Sequence, residues 1–232
     1  MSAESLDVAN TVDLVMRERR TTRAFLPGTV PRQTLIDLLN VATTAPSTFN
    51  TQPWIVHVLI GAAKQQLTDA LQRAHASKSY PQHAAVPPGA PSEILDRQHD
   101  FFRRYYKTLG IDPSDSDARY AQTSRNFAFF GAPVGLIFTV DESLSRHSWL
   151  DVGLFLQNVM LAAQARGLAT CPQVSFVRYQ SVITEMLGLR TSDAVVCGMS
   201  LGWPDESSPV NQMNIPREPL LRTVQWYGCD EP

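Results

Sequence analysis

Cysteine is scarce in this chain. There are three in 232 residues, Cys171, Cys197 and Cys229. They are odd in number and far apart, and no two have zinc-ligand or redox-pair spacing. A disulfide scaffold is excluded, and the expected compartment is a reducing cytoplasm. Excess charge is also missing. Lys and Arg total 20 against 22 Asp and Glu, a formal net charge of −2. There is no basic surplus to hold nucleic acid and no acidic tail. No apolar run approaches the roughly 20 residues of a spanning helix. The first residues are polar and acidic and lack a positive-then-apolar leader pattern. Neither membrane nor nucleic acid is expected as a partner.

Several chemistries are missing as well. His57, His75, His83, His99 and His147 have no ligand spacing with one another or with the cysteines, so no metal is expected. No Gly-x-Gly-x-x-Gly follows a strand pattern and there is no P-loop. A nicotinamide would therefore bind only transiently. Gly198-Met199-Ser200-Leu201-Gly202 matches the nucleophile-elbow pattern. It lies inside a strand pattern and runs into Trp203-Pro204, which cannot start the helix that an elbow requires. No side chain stands out as a general acid or base.

What is present is an ordinary globular chain with 44% apolar residues, read as one domain over 1–232. Residues 3–20 read as a helix ending in Arg17, Arg19 and Arg20, and residues 31–44 as a second, with Pro31 in its first turn. A strand is expected at 55–60, a polar helix at 62–76, and a strand buried on both faces at 133–140. Ser148 is read as the cap of a long helix reaching Arg166, with Asp151 at capping-box spacing. That helix is apolar around most of its circumference, so its second face is expected to meet another subunit. Gly167 ends it, a segment near 170–174 follows, a helix runs over 178–187 to Gly188, and another strand covers 194–201. The tail, 203–232, is rich in proline and aromatics and is expected to wrap over something, with 223–227 read as a strand that would cross to extend a partner's sheet.

Residues 77–125 are the least regular. Tyr80-Pro81, Pro87-Pro88-Gly89 and Pro91 make a loop. Ser92 is read as the cap of a helix carrying Phe101, Phe102, Tyr105 and Tyr106, and Asp112-Pro113-Ser114-Asp115 opens another short helix. This stretch reads either as a lid over a pocket or as an excursion whose aromatics pack onto the body.

Two stretches organise the chain. One is Ala45-Pro46-Ser47-Thr48-Phe49-Asn50-Thr51-Gln52-Pro53-Trp54, a stiff loop of hydroxyls and amides suited to a flat, heteroatom-rich ligand. The other is Arg19-Arg20-Thr21-Thr22-Arg23-Ala24-Phe25. Together they resemble the FMN-dependent nitroreductase family, whose first helix ends in Arg-Arg-Ser/Thr-x-Arg/Lys-x-Phe. The family then carries Pro-Ser-x-x-Asn-x-Gln-Pro-Trp, which here is Pro46, Ser47, Asn50, Gln52, Pro53 and Trp54. Pro172-Gln173-Val174-Ser175 and Arg217-Glu218-Pro219 match two later family segments.

The resemblance implies an α+β, three-layer α-β-α fold with a mixed, mostly antiparallel sheet in an intertwined homodimer. It implies FMN as cofactor and NADH or NADPH as transient donor. Arg19, Arg20, Thr21 and Arg217 would hold the phosphate, because permanently charged, bidentate guanidinium groups suit a dianion. Pro46, Ser47, Asn50 and Gln52 would come from the partner subunit to the ring and ribityl chain. Arg23 would be the fixed cation near N1 of the ring, favouring two-electron chemistry. Pro172, Gln173, Val174 and Ser175 would pass the ring's N5, with the Val174 backbone N–H as its partner. The catalytic set contains no side chain. Phe101, Tyr105, Tyr106 and Tyr120 are the candidate substrate walls. The implied activity is hydride transfer from NAD(P)H to nitroaromatic or quinone-like acceptors by a ping-pong mechanism. Flavin reduction, enone reduction, reductive dehalogenation and a non-catalytic flavin module are the alternatives.

Overall fold

The structure is a computed structural model that describes residues 3–77, 86–87 and 89–228. Tyr80-Pro81, Pro88 and Cys229 lie outside the described residues. The helices are α1 (Ala3–Glu18), α2 (Arg32–Ala42), α3 (Gly61–Ala76), α4 (Ser92–Leu109), α5 (Ser116–Ser124), α6 (Arg146–Gln164), α7 (Gln180–Leu187) and the short α8 (Leu220–Thr223). The strands are β1 (Ile55–Ile60), β2 (Val134–Asp141), β3 (Ala169–Gln173) and β4 (Asp193–Gly202).

The strands form one sheet in the order β1-β2-β4-β3, and every pairing is antiparallel. The parallel component expected of a mixed sheet is an isolated bridge, Thr21 to Thr170. β2 is the central apolar strand and is buried along nearly its whole length. Its alternation divides the core. Val134, Leu136 and Phe138 pack with Leu38 of α2 and Phe155 and Val159 of α6. Ile137 packs on the other side with Leu67 and Leu71 of α3, Phe176 and Ile183. Helices thus cover both faces, giving three layers.

Two glycines admit rings onto the sheet. A Cβ on Gly198 would stand 2.7 Å from Cδ2 of Phe176, and one on Gly135 would stand 2.6 Å from Cζ of Phe129. Phe176 and Phe129 are buried and tilted against each other at 4.9 Å. Gly198→Ala should therefore lower unfolding free energy by about 1–3 kcal/mol through overpacking. Urea titration checks it, and an unchanged midpoint would contradict this packing.

Several local expectations need correction. α6 is capped by Ser145, which accepts from the His147 N–H, not by Ser148. Asp151 closes no capping box. It accepts from the Thr48 N–H at 3.1 Å and from the Thr48 hydroxyl at 3.3 Å. A long-range partner has won over a local one. Pro31 and Pro91 occupy the caps of α2 and α4, so Pro31 precedes the first turn and Ser92 is already helical. α1 ends at Glu18, which leaves Arg19 and Arg20 beyond it. The 223–227 strand expected to extend a partner's sheet has no strand to pair with in a single chain. Thr223 ends α8, and Val224 is extended. The outer face of α6 leaves Trp149, Leu150 and Leu154 exposed, as an unpartnered second apolar face would.

Candidate active site

The arginine segment leaves α1 and is fixed by backbone contacts. The Thr22 N–H donates to the Thr170 carbonyl at 3.0 Å and the Leu26 N–H to the Trp203 carbonyl at 2.9 Å. Asn211 grips the turn. Its Oδ1 accepts from the Arg23 N–H, and its Nδ2 donates to the Ala24 and Asp205 carbonyls, each at 2.8 Å. The tail therefore holds the loop whose side chains it faces. No local pattern marked Asn211, because its partners in the arginine turn are 187 and 188 residues away.

These elements enclose a cavity of about 570 Å³ lined by Arg17, Arg19, Arg20, Thr21, Arg23 and Arg217, together with Phe101 and tail residues 210, 211 and 213–215. Its five arginines face no lining carboxylate. Burial lowers the Arg19 pKa, and the neighbouring charge of Arg217 lowers it further. A partly desolvated cation beside a second like charge is unfavourable unless an anion sits between them.

A second cavity, of about 400 Å³, adjoins the first at Arg23 and Phe101. Phe101, Phe102, Tyr105 and Tyr106 of α4 line it, together with Gln122, Thr123, Asn126, Phe130 and the Pro172–Ser175 segment. Arg23 is its one charged lining residue. The guanidinium carbon lies 5.3 Å from the Phe101 ring centroid and 5.1 Å from that of Tyr105, within cation–π reach. Tyr105 is buried, and its hydroxyl accepts from Gln122 Nε2 at 2.6 Å. Burial, the largest influence, raises the Tyr105 pKa, so the phenol stays neutral. From the 77–125 stretch, Phe101, Phe102, Tyr105, Tyr106, Gln122 and Thr123 line the cavity. Tyr120 is not among them: its ring stacks on His75 at 4.5 Å. Cys171, beside Pro172, is buried, and its thiol is pushed up to about 11, which keeps it protonated.

The loop carrying Pro46, Ser47, Asn50 and Gln52 lines neither cavity. It is tied to α6 by Asp151 and by Trp54, whose ring stacks on Phe155 at 4.7 Å. Gln52 Nε2 donates to Oδ1 of Asn50 at 3.0 Å, and the Gln52 N–H donates to the Ser47 hydroxyl. Phe49, Asn50 and Gln52 all have positive φ, at 51°, 59° and 45°. Such conformations cost of order 1 kcal/mol or more each. Phe49 is nonetheless 97% exposed. This loop is held rigidly and faces outward.

The family model described as the nitroreductase family matches residues 16–203. The chain belongs to the nitroreductase family. Among curated relatives, it is 45% identical to a 4-nitrobenzoate reductase of Pseudomonas putida, over 94% of this chain and 96% of the relative. It is 41% identical to a chloronitrobenzene nitroreductase of Comamonas testosteroni, over 90% of this chain and 93% of the relative. Among solved structures, the FMN-dependent nitroreductase NfnB from Mycobacterium smegmatis in complex with NADPH superposes with a TM-score of 0.90 at 32% identity. That match covers 95% of this chain and 99% of NfnB. The α+β nitroreductase fold expected from the motifs is the fold this member has.

The residues present fit FMN. The carboxylate-free arginine cavity suits a phosphate dianion, and the adjoining cavity is aromatic and amide-lined, as a flat ring requires. In the Pro172–Ser175 segment, the Ser175 hydroxyl is buried without a hydrogen-bond partner among the described residues. A heteroatom-rich ring edge would supply one.

Proposed function

We propose that this nitroreductase takes electrons from NADH or NADPH and delivers them through FMN to a nitroaromatic acceptor. The observation that carries this reading is the pair of adjoining cavities, one cationic and one aromatic, meeting at Arg23. When bound, FMN supplies the hydride-accepting centre that no side chain provides. Arg19, Arg20, Thr21 and Arg217 hold the phosphate, and Arg23 sets the potential at the ring. The Val174 backbone N–H serves N5. Phe101, Phe102 and Tyr106 exclude water and stack the acceptor. Acceptors of the nitrobenzene and nitrobenzoate class are the first to test, since the similar proteins are named for them.

The working unit is a homodimer in the cytoplasm. The outward loop with Phe49 and the exposed apolar face of α6 support a second copy, whose Ser47, Asn50 and Gln52 would complete each site. Free, buried Cys171 and Cys197 support a reducing compartment.

Anaerobic absorption spectroscopy tests the reading. The purified protein should show a flavin spectrum that bleaches with NADH or NADPH and returns when 4-nitrobenzoate is added. A protein that takes up no FMN would refute it. Bound flavin that neither nicotinamide bleaches would make the chain a flavin-binding module.

A further inference from the structure

Ser200 lies on β4, fully buried, at the centre of the Gly-x-Ser-x-Gly pattern that serves no nucleophile. Its hydroxyl donates to Gln173 Oε1 at 2.7 Å. Gln173 is 3% exposed, and its Nε2 donates onward to the Asn126 carbonyl at 2.7 Å. The relay is therefore directional. The serine proton fixes the amide oxygen toward β4, which leaves the amide nitrogen to reach Asn126.

The geometry makes this pairing consequential. Gln173 is the last residue of β3 and directly precedes Val174. In register it faces Gly198, where Phe176 fills the space a side chain would take. Gln173 and Asn126 both line the ring cavity, and Ser200 lines neither cavity. A polar pair buried this deeply costs stability unless paired. Here each group is paired, and the pairing joins two residues that line one cavity.

We propose that Ser200 is a positioning residue. Acting through Gln173, it sets the separation between the Val174–Ser175 edge and Asn126, and so the seat of the flavin ring. This rests on the FMN reading above. Ser200→Ala changes little volume but leaves the Gln173 oxygen without its donor. Gln173→Met removes the amide at similar size.

The test uses purified holoenzyme. Each variant should shift the visible bands of bound flavin and raise the FMN Kd about tenfold. At saturating FMN, bleaching by the nicotinamide should slow about tenfold, with less than a twofold change in acceptor KM. The double variant should look like either single one, because both cut the same relay. Ser200→Cys, retaining a weaker donor, should fall between wild type and Ser200→Ala, and it carries the test if the alanine protein does not fold. Wild-type protein that binds no FMN overturns the underlying reading. Wild-type protein that binds FMN, with variants of unchanged spectrum and merely additive losses of thermal stability, overturns the positioning role alone.

Discussion

Replacing Arg19 and Arg217 together by glutamine should weaken FMN binding about a hundredfold or more and leave riboflavin binding nearly unchanged. The two guanidinium groups share a cavity without a lining carboxylate, and burial and mutual repulsion disfavour the charge on Arg19. A dianion removes that conflict. Hydrogen bonds to charged groups contribute about 1.5–3 kcal/mol each, so losing two such partners is at least about 3 kcal/mol. Each 1.4 kcal/mol or so is tenfold in affinity. Riboflavin has the same ring but no phosphate, so it separates the charge effect from damage to the fold. Fluorescence quenching titrations of both ligands measure it. FMN binding of the wild type should also weaken with salt, and that dependence should shrink in the double variant. Equal losses for both ligands would mean the arginines act through folding. No loss for either would remove the phosphate from this cavity.

The sequence disclosed the parts of this protein that are local. β1, α3 and the span of β2 follow from apolar periodicity and its breakers, and Gly167 and Gly188 stand at φ 70° and 62° after their helices. The arginine segment was legible because its own charges, Arg19, Arg20 and Arg23, are clustered within five residues. The contacts that aim the site were not. Asn211 reaches back to Arg23 and Ala24, Gln122 props Tyr105, and Gln173 spans to Asn126. A single asparagine or glutamine carries no periodic signal, and only the assembled sheet brings it to its partner. Asp151 shows the same limit. Its spacing from Ser148 suggested a cap, but the folded chain offered it Thr48, two donors on the loop it anchors. Tyr120 failed as a substrate wall because α5 turns it toward His75 rather than the cavity.

Arg23→Gln should slow the bleaching of bound flavin by NAD(P)H about a hundredfold at saturating FMN. Reduction adds negative charge to the ring's pyrimidine edge, and Arg23 is the single charged side chain lining the ring cavity. Its position is set in advance. The backbone is held by Asn211, and the guanidinium rests over Phe101 and Tyr105, which is itself locked by Gln122. A preorganised charge beside a developing one contributes a factor of about 10²–10³ when a single donor is removed elsewhere. Arg23→Lys keeps the charge but loses the planar stack, so it should recover part of the rate. Tyr105→Leu keeps the arginine and removes one ring of its platform. A cation–π contact is worth about 0.5–2 kcal/mol, so this change should slow bleaching only several-fold. Stopped-flow measurement of the first half-reaction gives the order: Arg23→Gln slowest, then Arg23→Lys, then Tyr105→Leu. If Arg23→Gln raises the FMN Kd yet leaves the saturated rate intact, Arg23 serves the phosphate cavity alone. The aromatic platform would then be a matter of stability. If the saturated rate falls and Arg23→Lys restores part of it, the charge at this junction acts on the chemistry, and the orientation of α4 over the cavity controls the rate.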